Sequence, residues 1–300
     1  MTTSPSRHAA AFAALSIVVL AAAPAARAAD KLPHPARAAS TLAKVATVDA
    51  DQAVAVDAEH FYAIDDRAIA KHEKATGRQV ARWEGPKDGP IIHLDSGIVV
   101  DGRLYAAHSN YPQDPMTSSV EVWDVATMEH VESHSLGIQL GSFTWLDRAP
   151  DGTWWGTFAN YNRVFGRSPA AYGNKYRTQV VRFADDWRVA EAFVLPDGIV
   201  DRFEDMSNSG GSWGPDGLPY VTGHDAGEAY AVEPPAMGSV MRWVDTVTLE
   251  ATGQGITWDR SAAEPTLYGI IRGETDAQNM VTSHRVPPRE GAAPQQRAAR

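Results

Sequence analysis

Five segments of this 300-residue chain repeat one pattern of short strands, and this repeat limits the possible folds most strongly. In each copy an apolar run ends near an aspartate, and the next run carries an aromatic pair or an apolar residue followed by tyrosine. The five aspartates are Asp57, Asp101, Asp147, Asp216 and Asp259, at spacings of 44, 46, 69 and 43 residues. A period in the forties that is built from short strands is typical of a β-propeller.

Third and fourth strands are also predicted in the copies. The third strands fall at residues 68–72, 120–125, 179–183, 229–232 and 280–284, and the fourth at 79–83, 130–135, 189–194 and 239–244. The fifth copy lacks a fourth strand because Pro287 and Pro288 follow directly. A spare strand at 41–48 can complete that blade and close the ring without leaving open edges. We therefore expect an all-β fold, a five-bladed propeller. Six blades is the main alternative, and a twin-sheet sandwich fits less well because it would not repeat one anchor five times.

The ends of the chain differ in composition from the repeats. Residues 1–28 have a charged start, an apolar run too short and too rich in alanine for a membrane span, and an Ala-Arg-Ala ending. This pattern is typical of a secretory signal peptide, so we expect a periplasmic or secreted protein with no membrane contact after cleavage. The expected organisation is a signal peptide at 1–28, a tether at 29–40, the propeller at 41–286 and a disordered tail at 287–300.

Composition removes several classes of function. The chain has no cysteine, which excludes thiolate chemistry, iron–sulfur clusters and cysteine-based zinc sites. Its formal net charge of -10 disfavours a nucleic-acid partner. The glycines at 210–211 are not followed by a helical pattern, so they do not predict a phosphate-binding loop. We expect a monomer that binds a small molecule and has no nucleotide or haem cofactor.

The propeller geometry brings distant polar residues to one end of the central channel. Each innermost strand begins, and each second strand ends, on the same face of the ring, and ligands commonly bind at a channel mouth. The residues that this geometry predicts for substrate binding are His93, Asp95, Asn110, Ser142, Asn160, Tyr161, Asn208, Gln254 and Arg272. The opposite ends carry turn residues such as Asp101-Gly102, for which a structural role suffices.

Three residues at this mouth are candidates for catalysis, namely His108, His224 and Asp225. Histidine exchanges protons near neutral pH, and His108 and His224 occupy matching places in the second and fourth copies. Each histidine could instead satisfy a buried backbone group, and Asp225 could simply cap a turn. Carboxylate and amide oxygens at the mouth could also hold a divalent cation such as Ca²⁺. The long interval between copies holds an insertion at 162–177 that could form a lid over the mouth.

Several short motifs carry a resemblance to known propellers. They are H-S-N-Y-P at 108–112, S-H-S-L-G at 133–137, N-S-G-G at 208–211, T-G-H-D at 222–225 and G-Q-G-I-T-W-D-R at 253–260. The chain resembles uncharacterised bacterial exported propeller proteins that often carry the label cycloisomerase, and it is distantly similar to lactonase and gluconolactonase propellers. The first resemblance implies an isomerase-type activity, whereas the second concerns the fold.

The leading functional hypothesis is an exported enzyme that acts on a small oxygenated or carboxylated metabolite, by lactone hydrolysis or cycloisomerisation. In this hypothesis Asp225 or His224 moves the proton, His108 assists, and the amides position the substrate or hold the cation. One alternative is a propeller that binds a ligand, or acts as a scaffold, without turnover. A second is a glycoside hydrolase that uses the carboxylates of Asp95 and Asp225 as a pair.

Overall fold

Each repeated segment forms one antiparallel blade, the fifth with the help of an N-terminal strand, in the computed structural model, which describes residues 36–138, 141–162 and 174–289. The first strands of the five blades contact one another in a closed ring, so they surround the central channel. These first strands are almost wholly buried, whereas the fourth strands of blades 1 and 3 are largely exposed. The prediction of a five-bladed propeller is therefore confirmed.

Two N-terminal strands, β1 (Arg37–Ala38) and β2 (Ser40–Ala46), precede the blades. Blade 1 comprises β3 (Ala53–Val56), β4 (His60–Asp65), β5 (Ala68–Glu73) and β6 (Gln79–Glu84). Blade 2 comprises β7 (Leu94–Val100), β8 (Arg103–Ser109), β9 (Thr117–Asp124) and β10 (His130–Ile138). Blade 3 comprises β11 (Ser142–Arg148), β12 (Trp154–Ala159), β13 (Gln179–Phe183) and β14 (Val189–Val194).

Blade 4 comprises β15 (Gly210–Trp213), β16 (Pro219–Thr222), β17 (Glu228–Glu233) and β18 (Arg242–Thr248). Blade 5 comprises β19 (Thr257–Trp258), β20 (Thr266–Ile271), β21 (Met280–Arg285) and, as its outer strand, β2. Strand β18 begins later than the pattern predicts, because Val240 forms an isolated parallel bridge with Val194.

The ring closes through the N-terminal strand. Strand β2 pairs antiparallel with β21, with Ser40 opposite Arg285 and Ala46 opposite Met280. The outer edge of the last blade is thereby filled by the start of the propeller, as the sequence predicts. Strand β1 lies within the expected tether, yet it pairs parallel with β18 of blade 4. The N-terminal segment thus contacts two neighbouring blades.

One apolar cluster fills each interface between neighbouring blades. Leu104 lies in the cluster between blades 1 and 2, Phe143 between blades 2 and 3, and Trp145 between blades 3 and 4. Trp258 lies between blades 4 and 5, and Ile270 between blades 5 and 1. Because each sheet buries both of its faces against its neighbours, no blade could supply its own core.

Several of the repeated aspartates, unlike the exposed Asp101, anchor the ends of the first strands. The Tyr62 hydroxyl donates to Asp57 Oδ2 at 2.6 Å, and the Tyr220 hydroxyl donates to Asp216 Oδ2 at 2.9 Å. Asp147 is 1% exposed, and its Oδ2 accepts hydrogen bonds from Ser212 Oγ and the Trp213 amide. Asp57 and Asp216 are therefore paired with the tyrosine of their own blade, whereas Asp147 joins blade 3 to blade 4 through Ser212 and Trp213.

A short helix, α1 (Asp197–Arg202), was not predicted from the sequence. Its buried residues Ile199 and Val200 join the cluster between blades 3 and 4. No helix among the described residues is long and apolar enough to cross a membrane. The predicted signal peptide, residues 163–173 of the predicted lid and the tail beyond residue 289 lie outside the described residues.

Candidate functional site

A cavity of ≈ 320 Å³ lies where the innermost strands begin, and every blade contributes to it. We call it the first cavity; its lining residues are Gln52, His93, Asp95, Tyr111, Tyr161, Met206, Ser209, His224, Asp225, Gln254 and Arg272. Seven of them were singled out from the sequence as site residues: His93, Asp95, Tyr161, His224, Asp225, Gln254 and Arg272. The structure therefore brings these side chains together, and their roles in binding or catalysis stay predictions.

The His93 ring lies between two carboxylates. Its Nδ1 atom is 2.6 Å from Asp66 Oδ1, and its Nε2 atom is 3.4 Å from Asp95 Oδ2. Burial alone would lower the pKa of His93, but the negative charges of Asp95 and Asp66 outweigh it and raise the pKa. The two carboxylates thus favour the protonated form of the His93 ring.

Asp95 is the most perturbed acid at the first cavity. It is 4% exposed, and its Oδ2 atom receives no hydrogen bond from the described residues. Burial raises the pKa of Asp95 to about 7, against a lowering by the positive charge of His93. A carboxyl group that is half protonated near neutral pH can act as an acid or as a base.

Arg272 is held at the cavity wall by two partners. Its Nε atom is 3.2 Å from Asp51 Oδ1, and its Nη1 atom is 3.3 Å from His224 Nε2. His224 Nδ1 lies 2.7 Å from Asp225 Oδ1. Because Asp225 accepts the Nδ1 proton, the Nε2 atom of neutral His224 is left as the acceptor for Arg272.

Gln52 joins the arginine side of the first cavity to the histidine side. Its amide nitrogen donates to Asp51 Oδ2 at 3.1 Å and to Asp66 Oδ1 at 3.0 Å. The polar side chains thus form one continuous network from Arg272 through Asp51, Gln52 and Asp66 to His93. Gln52 is 7% exposed, so the network is anchored in the protein interior.

Aromatic rings form the opposite wall of the first cavity. The Tyr111 ring stacks on the His93 ring, with centroids 4.9 Å apart, and lies 5.3 Å from the Tyr161 ring. Tyr161 is 4% exposed and packs with Ala159 and Met206. This wall fixes the plane of the His93 ring and gives the cavity an apolar side.

The backbone of blade 5 approaches the first cavity in an unusual conformation. Gln254 has a φ of 63°, in the left-handed region, and is 3% exposed. The preceding Gly253 shares this conformation, and a Cβ atom there would lie 2.7 Å from the carbonyl oxygen of His224. A non-glycine residue in this region costs roughly 1–2 kcal/mol, a strain that is often stored at functional sites.

His108 does not line the first cavity, and its surroundings differ from those expected of a catalytic residue. Its Nε2 atom accepts from the Ile92 amide at 3.2 Å, and its Nδ1 atom is 2.8 Å from Ser119 Oγ. Ser119 in turn donates to Glu121 at 2.6 Å, which leaves its oxygen to accept from His108. Burial lowers the pKa of His108 to about 4. Both nitrogens are therefore used in holding the blade together.

Four other predicted residues also lie outside the lining of the first cavity. Asn208 is fully buried, and its Oδ1 atom accepts from the Trp145 indole at 2.8 Å. Ser142 Oγ pairs with Ser109 Oγ at 2.7 Å. Asn110 bridges the ends of its own loop, and the Asn160 side-chain amide donates to the Arg177 carbonyl at 3.4 Å. These side chains form hydrogen bonds with buried groups or within a loop, so a substrate-binding role for them stays a prediction.

The structure adds cavity residues that were not selected from the sequence, namely Gln52, Tyr111, Met206 and Ser209, together with Asp51 and Asp66 in the network behind them. Gln52, Asp51, Asp66 and Ser209 occupy the strand ends that the propeller geometry singles out, so the same rule could have included them. Tyr111 and Met206 lie on loops beyond those ends, so the strand-end rule selects neither, although Tyr111 belongs to the H-S-N-Y-P motif at 108–112.

The divalent cation at the first cavity stays a prediction, and the carboxylates around that cavity already have partners. Within the described residues no group of three His, Asp or Glu side chains could hold a metal ion. Asp51, Asp66 and Asp225 are each engaged by a basic or amide partner.

Known proteins resemble this chain in structure and not in sequence. No protein-family model and no curated protein matches the chain. A GH43_1 enzyme from Xanthomonas citri, solved with xylotriose, matches 85% of this chain and 90% of its own, with a TM-score of 0.54 and 11% identity. At this identity the similarity concerns the fold.

Two weaker structural similarities are also found. A putative gluconolactonase aligns over 84% of this chain and 94% of its own, with a TM-score of 0.44 and 14% identity. Hydrazine synthase from Kuenenia stuttgartiensis aligns over 72% of this chain, with a TM-score of 0.43 and 16% identity, and this chain spans 60% of its length.

Proposed function

We propose that this protein is an exported enzyme that opens or closes the ring of a small carboxylated metabolite, as in lactone hydrolysis or cycloisomerisation. The proposal rests on Asp95, a buried acid with a pKa of about 7. Its Oδ2 atom has no hydrogen-bond partner among the described residues and lies beside His93, in a cavity that is lined by residues from all five blades. Perturbed acids in a cleft are typical of proton-transfer sites.

Asp95 and His93 act as the proton-transfer pair in this mechanism. Ring opening of a lactone needs a base to activate water and an acid to protonate the departing ring oxygen. Asp66 holds one side of the His93 ring, so the proton exchanged with Asp95 stays on the side of Nε2. Cyclisation uses the same two groups in the reverse direction.

Arg272 binds the carboxylate of the substrate in this proposal. Its Nε and Nη1 atoms are held by Asp51 and His224, while its Nη2 atom donates no hydrogen bond to the described residues. A fixed guanidinium with one free edge binds a carboxylate oxygen well and orients the rest of the substrate. The side chain is 31% exposed, so this edge is accessible from the cavity.

His224 and Asp225 have a different role in this proposal from the one that the sequence suggested. Asp225 fixes the proton on His224 Nδ1, and the free Nε2 then fixes Arg272. The pair therefore positions the arginine, and the proton itself moves between Asp95 and His93. Tyr111 and Tyr161 cover the apolar part of a small substrate.

A proton-release assay on a panel of lactones tests the proposal, since lactone hydrolysis liberates acid. We expect Asp95→Asn and His93→Gln to lower kcat/KM by about 10²-fold or more, the usual contribution of a general acid or base. Arg272→Met is expected to raise KM for carboxylated lactones much more than for neutral ones. Asp65→Asn is the matched control, because burial also raises the pKa of Asp65, to about 6, but Asp65 does not line the first cavity.

Three outcomes would contradict the proposal. If no lactone or hydroxy acid is turned over while carboxylates still bind with Arg272-dependent affinity, the protein is a binding propeller. If xylan fragments are cleaved instead, with Asp95 and Asp225 both essential, the paired-carboxylate alternative holds. If Asp65→Asn lowers turnover as much as Asp95→Asn, the assignment of the proton-transfer group is wrong.

A further inference from the structure

We propose that the cavity at the opposite mouth of the channel is a second binding site, which takes an organic anion with an apolar body. Its volume is ≈ 890 Å³, larger than the ≈ 320 Å³ of the first cavity. Its lining includes the far ends of the innermost strands of four blades, at Val100, Arg148, Trp213 and Trp258. The first cavity lies at the beginnings of the same strands, so the two sites are separate.

The acids that line this second cavity already make hydrogen bonds or ion pairs with other residues. Asp259 Oδ1 accepts from the Ser261 and Ala262 amides, and its Oδ2 atom is 2.6 Å from Lys74 Nζ. Asp151 accepts from the amide and hydroxyl of Thr153, and Glu264 pairs with Arg285 at 2.5 Å. The acidic side chains therefore leave little attraction for a cationic ligand.

The two arginines of the second cavity keep unused donors. Arg260 donates through Nη2 alone, to Asp147 Oδ1 at 2.6 Å and to the Arg148 carbonyl at 2.9 Å. Arg148 donates through Nε to the Gly152 carbonyl, and its Nη1 atom is 3.7 Å from the exposed Asp101 carboxylate. To the described residues, the remaining guanidinium N–H groups donate no hydrogen bond. Both side chains are at least 40% exposed, so their free edges face solvent.

The rest of the wall is apolar. Trp213, Trp258, Pro150, Pro215 and Pro265 line the second cavity, and the indole nitrogens of both tryptophans have no hydrogen-bond partner among the described residues. The wall thus offers the unused donors of two arginines, set in apolar surface, while each of its acids already has a hydrogen-bond or ion-pair partner. This combination fits an aromatic or aliphatic molecule that carries a carboxylate or sulfonate.

Fluorescence titration of the folded protein with 8-anilinonaphthalene-1-sulfonate tests this site. We expect saturable binding with one probe per chain, and about tenfold weaker binding in both Arg148→Met and Arg260→Met, since a charge-assisted contact is lost in each. The neutral analogue N-phenyl-1-naphthylamine is expected to bind the wild type and both variants within about twofold of one another. Arg103→Met is the control, because Arg103 is a partly exposed arginine outside the second cavity.

Arg260 also contacts the buried Asp147, so Arg260→Met could lose stability as well as binding. Arg148 makes no contact of this kind, and Arg148→Met therefore keeps the test decisive. The proposal is overturned if Arg148→Met binds the sulfonate like the wild type, or if Arg103→Met weakens binding equally. It is also overturned if Arg272→Met abolishes the signal, because the probe would then occupy the first cavity.

Discussion

The Oδ2 atom of Asp95 lies 3.4 Å from Nε2 of His93, and no described residue donates a hydrogen bond to it. The separation allows a strong charge interaction, but the atoms are not aligned as a hydrogen bond. An ionised Asp95 is therefore a buried anion that no described residue donates to at Oδ2, and burial raises its pKa to about 7 against the positive charges of His93 and Arg272. The same feature that suits Asp95 to proton transfer lowers the stability of the folded protein above neutral pH.

Asp95→Asn is expected to stabilise the protein at high pH relative to the wild type. Folded Asp95 holds its proton up to about pH 7, whereas an unfolded aspartate releases it near its ordinary value of 3.8, so wild-type stability falls as pH rises between these values. Asparagine does not titrate. The difference in unfolding free energy between variant and wild type should therefore shift in favour of the variant by on the order of 2 kcal/mol between pH 5 and pH 8.

Urea unfolding of both proteins at pH 5, 6.5 and 8 measures this difference. Comparing the two proteins at each pH removes the contributions of other titrating groups, such as His284, whose pKa is lowered to about 4 by burial. A difference that stays constant from pH 5 to pH 8 would show that Asp95 titrates normally and that its proposed role is unfounded.

The fold could be predicted almost completely from the sequence, because several features of each repeat indicate the same blade. The first strands are buried on both faces and are recognisable as short apolar runs, and their aspartates pair with tyrosines such as Tyr62 and Tyr220. The closing strand could be inferred because Pro287 interrupts the last blade. Strand β1 and helix α1 escaped prediction because two and six residues are too short to show a hydrophobic period.

The site was predictable only as far as strand ends determine it. The rule that groups strand beginnings and ends places Asp95, His224 and Arg272 at one mouth, and the structure agrees. It cannot say which way a side chain points. Side chains alternate along strand β8, and His108 lies two residues after Ala106, which faces blade 1. The imidazole is therefore in the interface between blades.

His108→Ala should reduce stability without a direct effect on turnover. The substitution removes the acceptor of the Ile92 amide and a partner of Ser119, so we expect a loss of about 1–3 kcal/mol at pH 7.5. Because the folded-state pKa of His108 is lowered to about 4, the wild type itself loses stability as pH falls from 6.5 toward 4, and the stability difference between wild type and variant should shrink there.

Urea unfolding at pH 7.5 and 5, with kcat measured beside His93→Gln, distinguishes this structural role of His108 from a catalytic one. A kcat loss that matches His93→Gln would restore His108 as a catalytic candidate.

Two aspartates at equivalent places in the repeat should respond very differently to the same change. Asp147 is 1% exposed and accepts from Ser212, the Trp213 amide and Arg260, so Asp147→Asn should cost about 3 kcal/mol. The Asp101 side chain is 90% exposed and lies in a turn with a φ of 49°, which asparagine also tolerates, so Asp101→Asn should cost less than about 0.5 kcal/mol. Thermal or urea unfolding of the pair measures both values. Equal losses would mean that the repeat position, and not the network around Asp147, determines stability.

The contact between the last and first blades depends on Gly255. A Cβ atom at Gly255 would lie 2.3 Å from Cβ and 3.0 Å from Cα of Ala53, and these atoms cannot move aside without shifting the innermost strand of blade 1. Gly255→Ala is therefore expected to cost about 3 kcal/mol, at the upper end for overpacking. The Gly255 amide also donates to the Gln52 carbonyl at 2.9 Å, and the Gln52 side chain holds Asp66 against His93. Turnover should thus fall together with stability.

Gly269→Ala is the matched control, because its nearest contact, Ala251 Cβ at 3.3 Å, needs only a small adjustment. If unfolding and turnover measurements show no difference between the two variants, close approach at Gly255 does not position the first cavity.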